Sequence, residues 1–174
     1  MMPIEGHGQL EVIEADLHDL TQQAAVLDLL NAYAMDTMGG QTPLANEVKT
    51  RLIPALTVRT DRVVLLARWS ERVGDSLSYV GLMNAFEGFS TFAAQPLLNI
   101  HDLYVTPEAR GLGVGQMLLS HAEEIARTRG YCKLTLEVLS GNTTAQQLYL
   151  KQGFRGYSLD EAIGQALFWQ KALD

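Results

Sequence analysis

The chain has 174 residues, is 47% hydrophobic, carries a formal net charge of −7 and contains a single cysteine, Cys132. Its size suits one domain with one core, no apolar run reaches membrane-spanning length, and a lone cysteine excludes an internal disulfide and a cysteine-rich metal site. The acidic balance argues against nucleic acid, which calls for a basic surface. The N-terminal residues lack the basic start and apolar middle of a secretion signal, so a cytoplasmic protein without membrane association is expected.

In chain order, "QLEVIEAD" predicts a first strand. Asp19 or Thr21 can cap a helix through "QQAAVLDLLNAYAMDTM", which Gly39-Gly40 stops. Pro43 is placed to open a second helix with the stripe Leu44, Val48, Leu52 and Leu56, and Pro54 inside it predicts an end or a kink. "RVVLLARW" and "LSYVGLMNAF" read as strands joined by a Gly74-Asp75 turn, "EGFSTFAAQP" as a loose connection, and "LLNIHDLYV" as another strand. A glycine-dense turn, "ARGLGVG", then opens a helix whose buried face is Met117, Leu118, Ala122, Ile125 and Ala126, with Gly130 as its left-handed stop. "KLTLEVL" alternates as a strand, Asn142 can cap a helix through "TTAQQLYLKQ" that Gly153 ends, and "FRGYSL" and "ALFWQKAL" read as closing strands. Strands that are first consecutive and later alternate with helices predict a mixed sheet with helices on its faces.

The acids are uneven. Glu5, Glu11, Glu14, Asp16, Asp19, Asp28, Asp36 and Glu47 all precede the first basic residue, Lys49. They read as a solvated face or as a rim that attracts an amine. His7 and His18 are isolated, and no histidine–carboxylate cluster has metal-ligand spacing, so no metal is expected. Cys132 reads as a small buried residue rather than a nucleophile.

The glycine turn fits neither nucleotide fingerprint. Counting from Gly111 the sixth position is Gln116, and from Gly113 it is Leu118, so the dinucleotide pattern fails; no Gly-Lys-Ser/Thr occurs either. A helix N-terminus still carries unpaired N–H groups and about half a positive charge. Glycines remove Cβ atoms and admit positive φ, and Arg110 adds a guanidinium. Such a turn can hold a diphosphate, or it can be a tight loop that binds nothing.

The stretch "NTTAQQLYLKQGF" narrows these alternatives. With the glycine turn it resembles the GNAT superfamily of acetyl-coenzyme A-dependent N-acetyltransferases. Arg110, Gly111, Gly113 and Gly115 match that family's Arg/Gln-x-x-Gly-x-Gly/Ala pattern. Asn142, Ala145, Leu148, Tyr149, Gly153 and Phe154 match its Asn-x-x-Ala-x-x-Leu/Phe-Tyr-x-x-x-Gly-Phe helix. The motifs run from about Leu98 to Phe154, and the earlier half matches only in element order. The resemblance implies an α/β (α+β) fold: a mixed, largely antiparallel sheet with helices on both faces and a splayed central strand pair. It implies one domain, 1–174, with an acceptor-side half over 1–97 and an acetyl-CoA-binding half over 98–174.

It also implies roles. The backbone of Leu103, Tyr104 and Val105 would bind the pantetheine arm and polarise the thioester carbonyl, a contribution of roughly 3 kcal/mol for a preformed donor. Arg110, Gly111, Leu112, Gly113, Val114, Gly115 and Gln116 would hold the diphosphate. Asn142, Ala145 and Tyr149 would flank the coenzyme, with Tyr149 also the acid for the leaving thiolate. Lys151 reads as an exposed helix lysine. A lysine-type amine has a pKa of about 10.4, so deprotonating it at pH 7 costs roughly 4.6 kcal/mol, and a base matters. His101 and Asp102 stand where the family commonly carries an acidic base, often glutamate. Strand alternation would bring only one of them to the site. His101 has the better ordinary pKa, about 6.5; Asp102 would need a raised one or a water relay.

The implied reaction is direct acetyl transfer to a primary amine in a ternary complex. A small cationic acceptor is expected, such as a polyamine, amino acid or aminoglycoside, with Phe86, Phe89 and Phe92 as an apolar wall. A protein amine is the other acceptor class, and a coenzyme A-binding module without turnover is the other functional class. By analogy with the superfamily, the closing strands could pair two chains as a homodimer.

Overall fold

The computed structural model describes residues 2–3, 9–70, 72, 76, 78–157 and 166–173. It divides into two compact units, Met1–Leu136 and Glu137–Asp174, each described by itself. The first unit contains β1 (Met2–Pro3), β2 (Gln9–Glu14), α1 (Leu20–Met35), α2 (Asn46–Thr57), β3 (Arg62–Ser70), β4 (Ser78–Ser90), β5 (Gln95–Val105), α3 (Val114–Thr128) and β6 (Leu134–Leu136). The second contains α4 (Thr143–Lys151). The expected Gly74-Asp75 turn, Glu5 and His7 lie outside the described residues.

The strands lie in sequence order, β1 to β6. Every neighbouring pair is antiparallel except β5–β6, which is parallel with Leu98 opposite Leu134 and Ile100 opposite Leu136. α3 supplies the crossover that a parallel pair requires. Past Ile100, β5 continues to Val105 after β6 has ended, so His101–Val105 lie beyond the β5–β6 ladder. The mixed, largely antiparallel sheet is therefore present.

Helices cover both faces. On one face, Ala25, Val26 and Leu29 of α1 and Ile53 and Leu56 of α2 pack with Val64, Leu66, Leu82 and Tyr104. On the other, α3 sits so close that a Cβ at Gly81 would lie 2.9 Å from the Val114 Cγ1 atom and 3.2 Å from Leu118 Cδ1. Each fully buried aliphatic side chain here contributes about 1.5–3 kcal/mol.

Local chemistry sets the boundaries. Asp19 caps α1: its Oδ1 accepts from the Thr21 and Gln22 N–H groups at 2.8 and 3.0 Å. α1 ends at Met35, before Gly39-Gly40, because Asp36 turns out of the helix and accepts the Met38 N–H at 2.9 Å with its own side chain. α2 opens at Asn46 rather than Pro43 and runs three residues past Pro54. Side chains take carbonyls of its last turn: Thr57 Oγ1 donates to Ile53 O at 2.8 Å and Arg62 Nε to Leu56 O at 2.6 Å. Val48, expected on the stripe, is exposed.

Other sequence expectations need correction. "EGFSTFAAQP" is not a loose connection: β4 continues to Ser90, a four-residue turn follows, and β5 starts at Gln95. Phe92 in that turn is fully exposed and Phe89 is largely so, which leaves only Phe86 packed against the core. Residues 154–157 and 166–173 carry no strand; 158–159 of "FRGYSL" lie outside the described residues. A strand needs a ladder, and among the described residues Ala166 N reaches Tyr157 O only at 3.5 Å. Cys132 is exposed, not buried; its N–H extends the β5–β6 ladder by donating to Pro96 O at 2.8 Å.

Candidate active site

The decisive local feature is a bulge in β5. Ala85 of β4 pairs with Ile100 and Asn84 pairs with Asp102, so His101 is the extra residue. A bulge re-aims side chains, and here it overturns the expectation that only one of His101 and Asp102 can face a common site. Asn84 is the cross-strand partner of Val64, which belongs to the α1–α2 core, so its other partner, Asp102, lies on that face. Phe86 packs on the same core, and the His101 ring meets it edge-on at 5.2 Å between centroids. Both residues therefore belong to the α1–α2 face.

Neighbours hold the pair. Asn84 Nδ2 donates to Asp102 Oδ2 at 3.0 Å. Asn84 is 3% exposed, and its Oδ1 is buried with no hydrogen-bond partner among the described residues. Tyr33, on α1, packs at 5.8 Å between centroids from Tyr104. Burial pushes the Tyr33 hydroxyl above its ordinary pKa, and the negative charges of Asp102 and Asp36 push it the same way, so it stays protonated. The Arg59 guanidinium lies over the Phe86 ring at 5.2 Å.

β5 feeds into the glycine turn. Pro107–Ala109 form one 3₁₀ turn, and Gly111 and Gly113 follow with φ of +80° and +82°. Gly113 is the N-cap of α3, with no side-chain cap, and the α3 hydrogen bonding starts with Met117 N to Gly113 O at 3.0 Å. The N–H groups of Val114, Gly115 and Gln116 are therefore left for an outside acceptor. A Cβ at Gly111 or Gly113 would meet no atom within 4 Å. Open space in front of bare amides fits a phosphate group, so the residues present suit a coenzyme carrying a diphosphate.

Arg110 is engaged elsewhere. Its Nη2 donates to Asp36 Oδ2 at 2.7 Å, its Nε to Val105 O at 3.1 Å, and its guanidinium carbon lies 5.9 Å from the Tyr104 ring centre. Other N-terminal acids are likewise taken up by arginines: Glu11 by Arg68, Glu14 by Arg129 and Glu47 by Arg51. Four of the acids that could form a solvated face or a rim are thus in ion pairs.

In the second unit, Asn142 caps α4 as expected, with its Oδ1 accepting the Ala145 N–H at 3.1 Å. Gly153 ends the helix with φ of +87°, and the rings of Tyr149 and Phe154 pack at 5.8 Å. Lys151 is exposed. Asn84 and Tyr33 escaped the sequence reading, and Asp36 entered it only as one of the N-terminal acids. Asn84 had a signal, an amide inside the apolar strand "YVGLMNAF"; Tyr33 and Asp36 are identified only by the partners that folding gives them. Among the described residues no group of three His, Cys, Asp or Glu is placed to hold a metal ion, and no helix is long and apolar enough to cross a membrane.

Comparison with known proteins agrees with this architecture. The family model for the acetyltransferase (GNAT) family matches residues 41–154. Streptothricin acetyltransferase of Streptomyces lavendulae is 39% identical over 85 residues, 49% of this chain, and the match spans 45% of that protein, less than half its length. L-methionine sulfoximine/L-methionine sulfone acetyltransferase of Pseudomonas aeruginosa is 29% identical over 153 residues, 83% of this chain and 84% of that protein. The crystal structure of a probable acetyltransferase superposes with a TM-score of 0.76 at 21% identity, covering 94% of this chain and 99% of the other.

Proposed function

The chain belongs to the acetyltransferase (GNAT) family, and from that premise we propose that it moves the acetyl group of acetyl-CoA to the primary amine of a small cationic molecule, by direct attack in a ternary complex. The observation that carries this reading is the β5 bulge, which brings His101 and Asp102 to one face. The acceptor amine must lose a proton, and either residue supplies a site for it: His101 at its free ring nitrogen, or Asp102 at its carboxylate. Asn84 fixes one Asp102 oxygen, and its own Oδ1 is buried without a hydrogen-bond partner among the described residues. Leaving that oxygen unpaired costs about 1–3 kcal/mol.

The bare amides of Val114, Gly115 and Gln116, with Gly111 to Gly113 before them, hold the coenzyme's diphosphate. The edge of β5 from Leu103 to Val105, left by β6, is the backbone surface for its pantetheine arm. When bound, acetyl-CoA supplies the activated acyl group. Asn142 and Ala145 flank it, and Tyr149 gives a proton to the departing sulfur, on the strength of the motif match. Tyr149→Phe should lower kcat about a hundredfold or more and leave acetyl-CoA affinity nearly unchanged; an unchanged kcat contradicts the assignment.

A small amine is favoured over a protein amine because the two relatives above are, by their names, acetyltransferases of streptothricin and of L-methionine sulfoximine. An exposed unpaired thiol at Cys132 suits a reducing compartment such as the cytoplasm. The test is thiol release from acetyl-CoA across a panel of polyamines, amino acids, aminoglycosides and lysine peptides. Turnover with a small amine supports the reading, and turnover confined to peptides overturns the acceptor class.

A further inference from the structure

We propose that Asp36 and Arg110 form a latch that sets the α1–α2 loop and the glycine turn together, so that Arg110 serves coenzyme A binding by positioning the turn and not by touching phosphate. This rests on the reading above that the turn holds coenzyme A. Arg110 lies 74 positions from Asp36 in sequence, and the pair joins the end of α1 to the start of the turn.

Asp36 is a node with every polar group in use. Its N–H donates to Ala32 O and Tyr33 O, and its carbonyl accepts from Gly39 N at 2.9 Å and Gln41 N at 3.3 Å. One carboxylate oxygen accepts from Met38 N at 2.9 Å and Thr37 Oγ1 at 3.3 Å. The other takes Arg110. The loop between α1 and α2 therefore hangs on the same residue that holds the turn.

Arg110 is fixed from its own side as well. Nε holds the Val105 carbonyl at the end of β5, and the guanidinium rests over Tyr104, which itself packs on Tyr33 of α1. The Asp36 side chain is only 16% exposed. Pulling Arg110 away to a phosphate would leave that carboxylate without its cation and its Oδ2 without the Arg110 hydrogen bond. An arginine already neutralised by a carboxylate also offers little net attraction to a second anion. What remains for Arg110 is geometry. It ties strand end, turn and α1 into one arrangement, and the backbone amides beyond it do the binding.

Coenzyme A titrations by calorimetry separate the two roles. A lysine keeps the charge and can bind phosphate as a point charge, but it cannot reproduce the guanidinium fork. The latch predicts that Arg110→Lys and Asp36→Asn each weaken coenzyme A binding about tenfold, the scale of one lost charge-assisted hydrogen bond. The double variant should be no weaker than either single. It further predicts faster amide exchange at Met38, Gly39 and Gln41 in Arg110→Lys, a readout that a phosphate ligand would not move. Melting temperatures confirm that each variant is folded, and Asp36→Asn is the milder change.

If Asp36→Asn binds coenzyme A as well as or better than wild type while Arg110→Lys is weakened, Arg110 is a phosphate ligand and the latch is overturned. Wild-type-like binding in both variants overturns it as well. A wild-type chain that does not bind coenzyme A overturns the reading of the turn, and with it the latch's purpose.

Discussion

Two glycine turns meet at the Asp36–Arg110 pair, and Gly39 in one uses glycine in the opposite way to Gly111 and Gly113 in the other. In the α1–α2 loop, Gly39 is there for closeness: a Cβ would stand 1.8 Å from the Tyr33 carbonyl oxygen. Before α3, Gly111 and Gly113 have φ of +80° and +82°, and a Cβ on either would meet nothing within 4 Å. A hemmed-in glycine answers to the fold. Gly111 and Gly113, at positive φ beside the start of α3, leave room for the diphosphate proposed to bind there.

The largest expected effect tests the open turn. Gly113→Asn keeps a residue that tolerates left-handed φ but puts a side chain into the cradle. Acetyl-CoA binding should fall about a hundredfold, the scale reported by misplacing a bound group by roughly an ångström, while the melting temperature moves little. A large stability loss with intact affinity would make this turn like the other one. Next comes Gly39→Ala, whose Cβ cannot fit without moving the loop. A loss of about 1–3 kcal/mol, roughly 5 °C in melting temperature, is expected, and an unchanged melting curve contradicts the close approach.

The smallest effect probes the joint between the turns through pH. The Met38 N–H, then the Arg110 guanidinium, hold the Asp36 carboxyl below its ordinary value. A carboxyl lowered by folding adds stability that is complete above its unfolded pKa, about 3.9, and is lost as pH falls through the folded one. The stability gap between wild type and Asp36→Asn should therefore be flat from neutral pH to about pH 5 and shrink below about pH 4. A gap that persists undiminished at the lowest pH would remove the carboxylate's charge from the account.

Element types were legible where local chemistry is self-contained. Asp19 and Asn142 cap their helices as side-chain spacing says they should, and the apolar stripe of α3 finds its core at Leu118, Ala122 and Ala126. The glycine turn could be read because positive φ and a helix start are local properties. The site's face could not. A bulge is a property of two strands, and no pattern within "LLNIHDLYV" shows that Asn84 pairs with Asp102 while Ala85 pairs with Ile100. The same holds for Arg110: the phosphate motif names the residue, but only folding brings Asp36 to it. The acidic N-terminal half left two readings open, a solvated face or a rim, because the arginine partners of Glu11, Glu14 and Asp36 are set only by folding.

The central claim is that the β5 bulge puts the proton acceptor of an amine acetyltransferase on the α1–α2 face. The most direct measurement is the pH dependence of kcat/KM for the amine found in the panel, in wild type, His101→Ala and Asp102→Asn. The account predicts that the acidic limb of the profile disappears in one of the two variants, together with a fall in kcat of about a hundredfold. Profiles that keep both the limb and the rate in the two variants would place the base in solvent and contradict it.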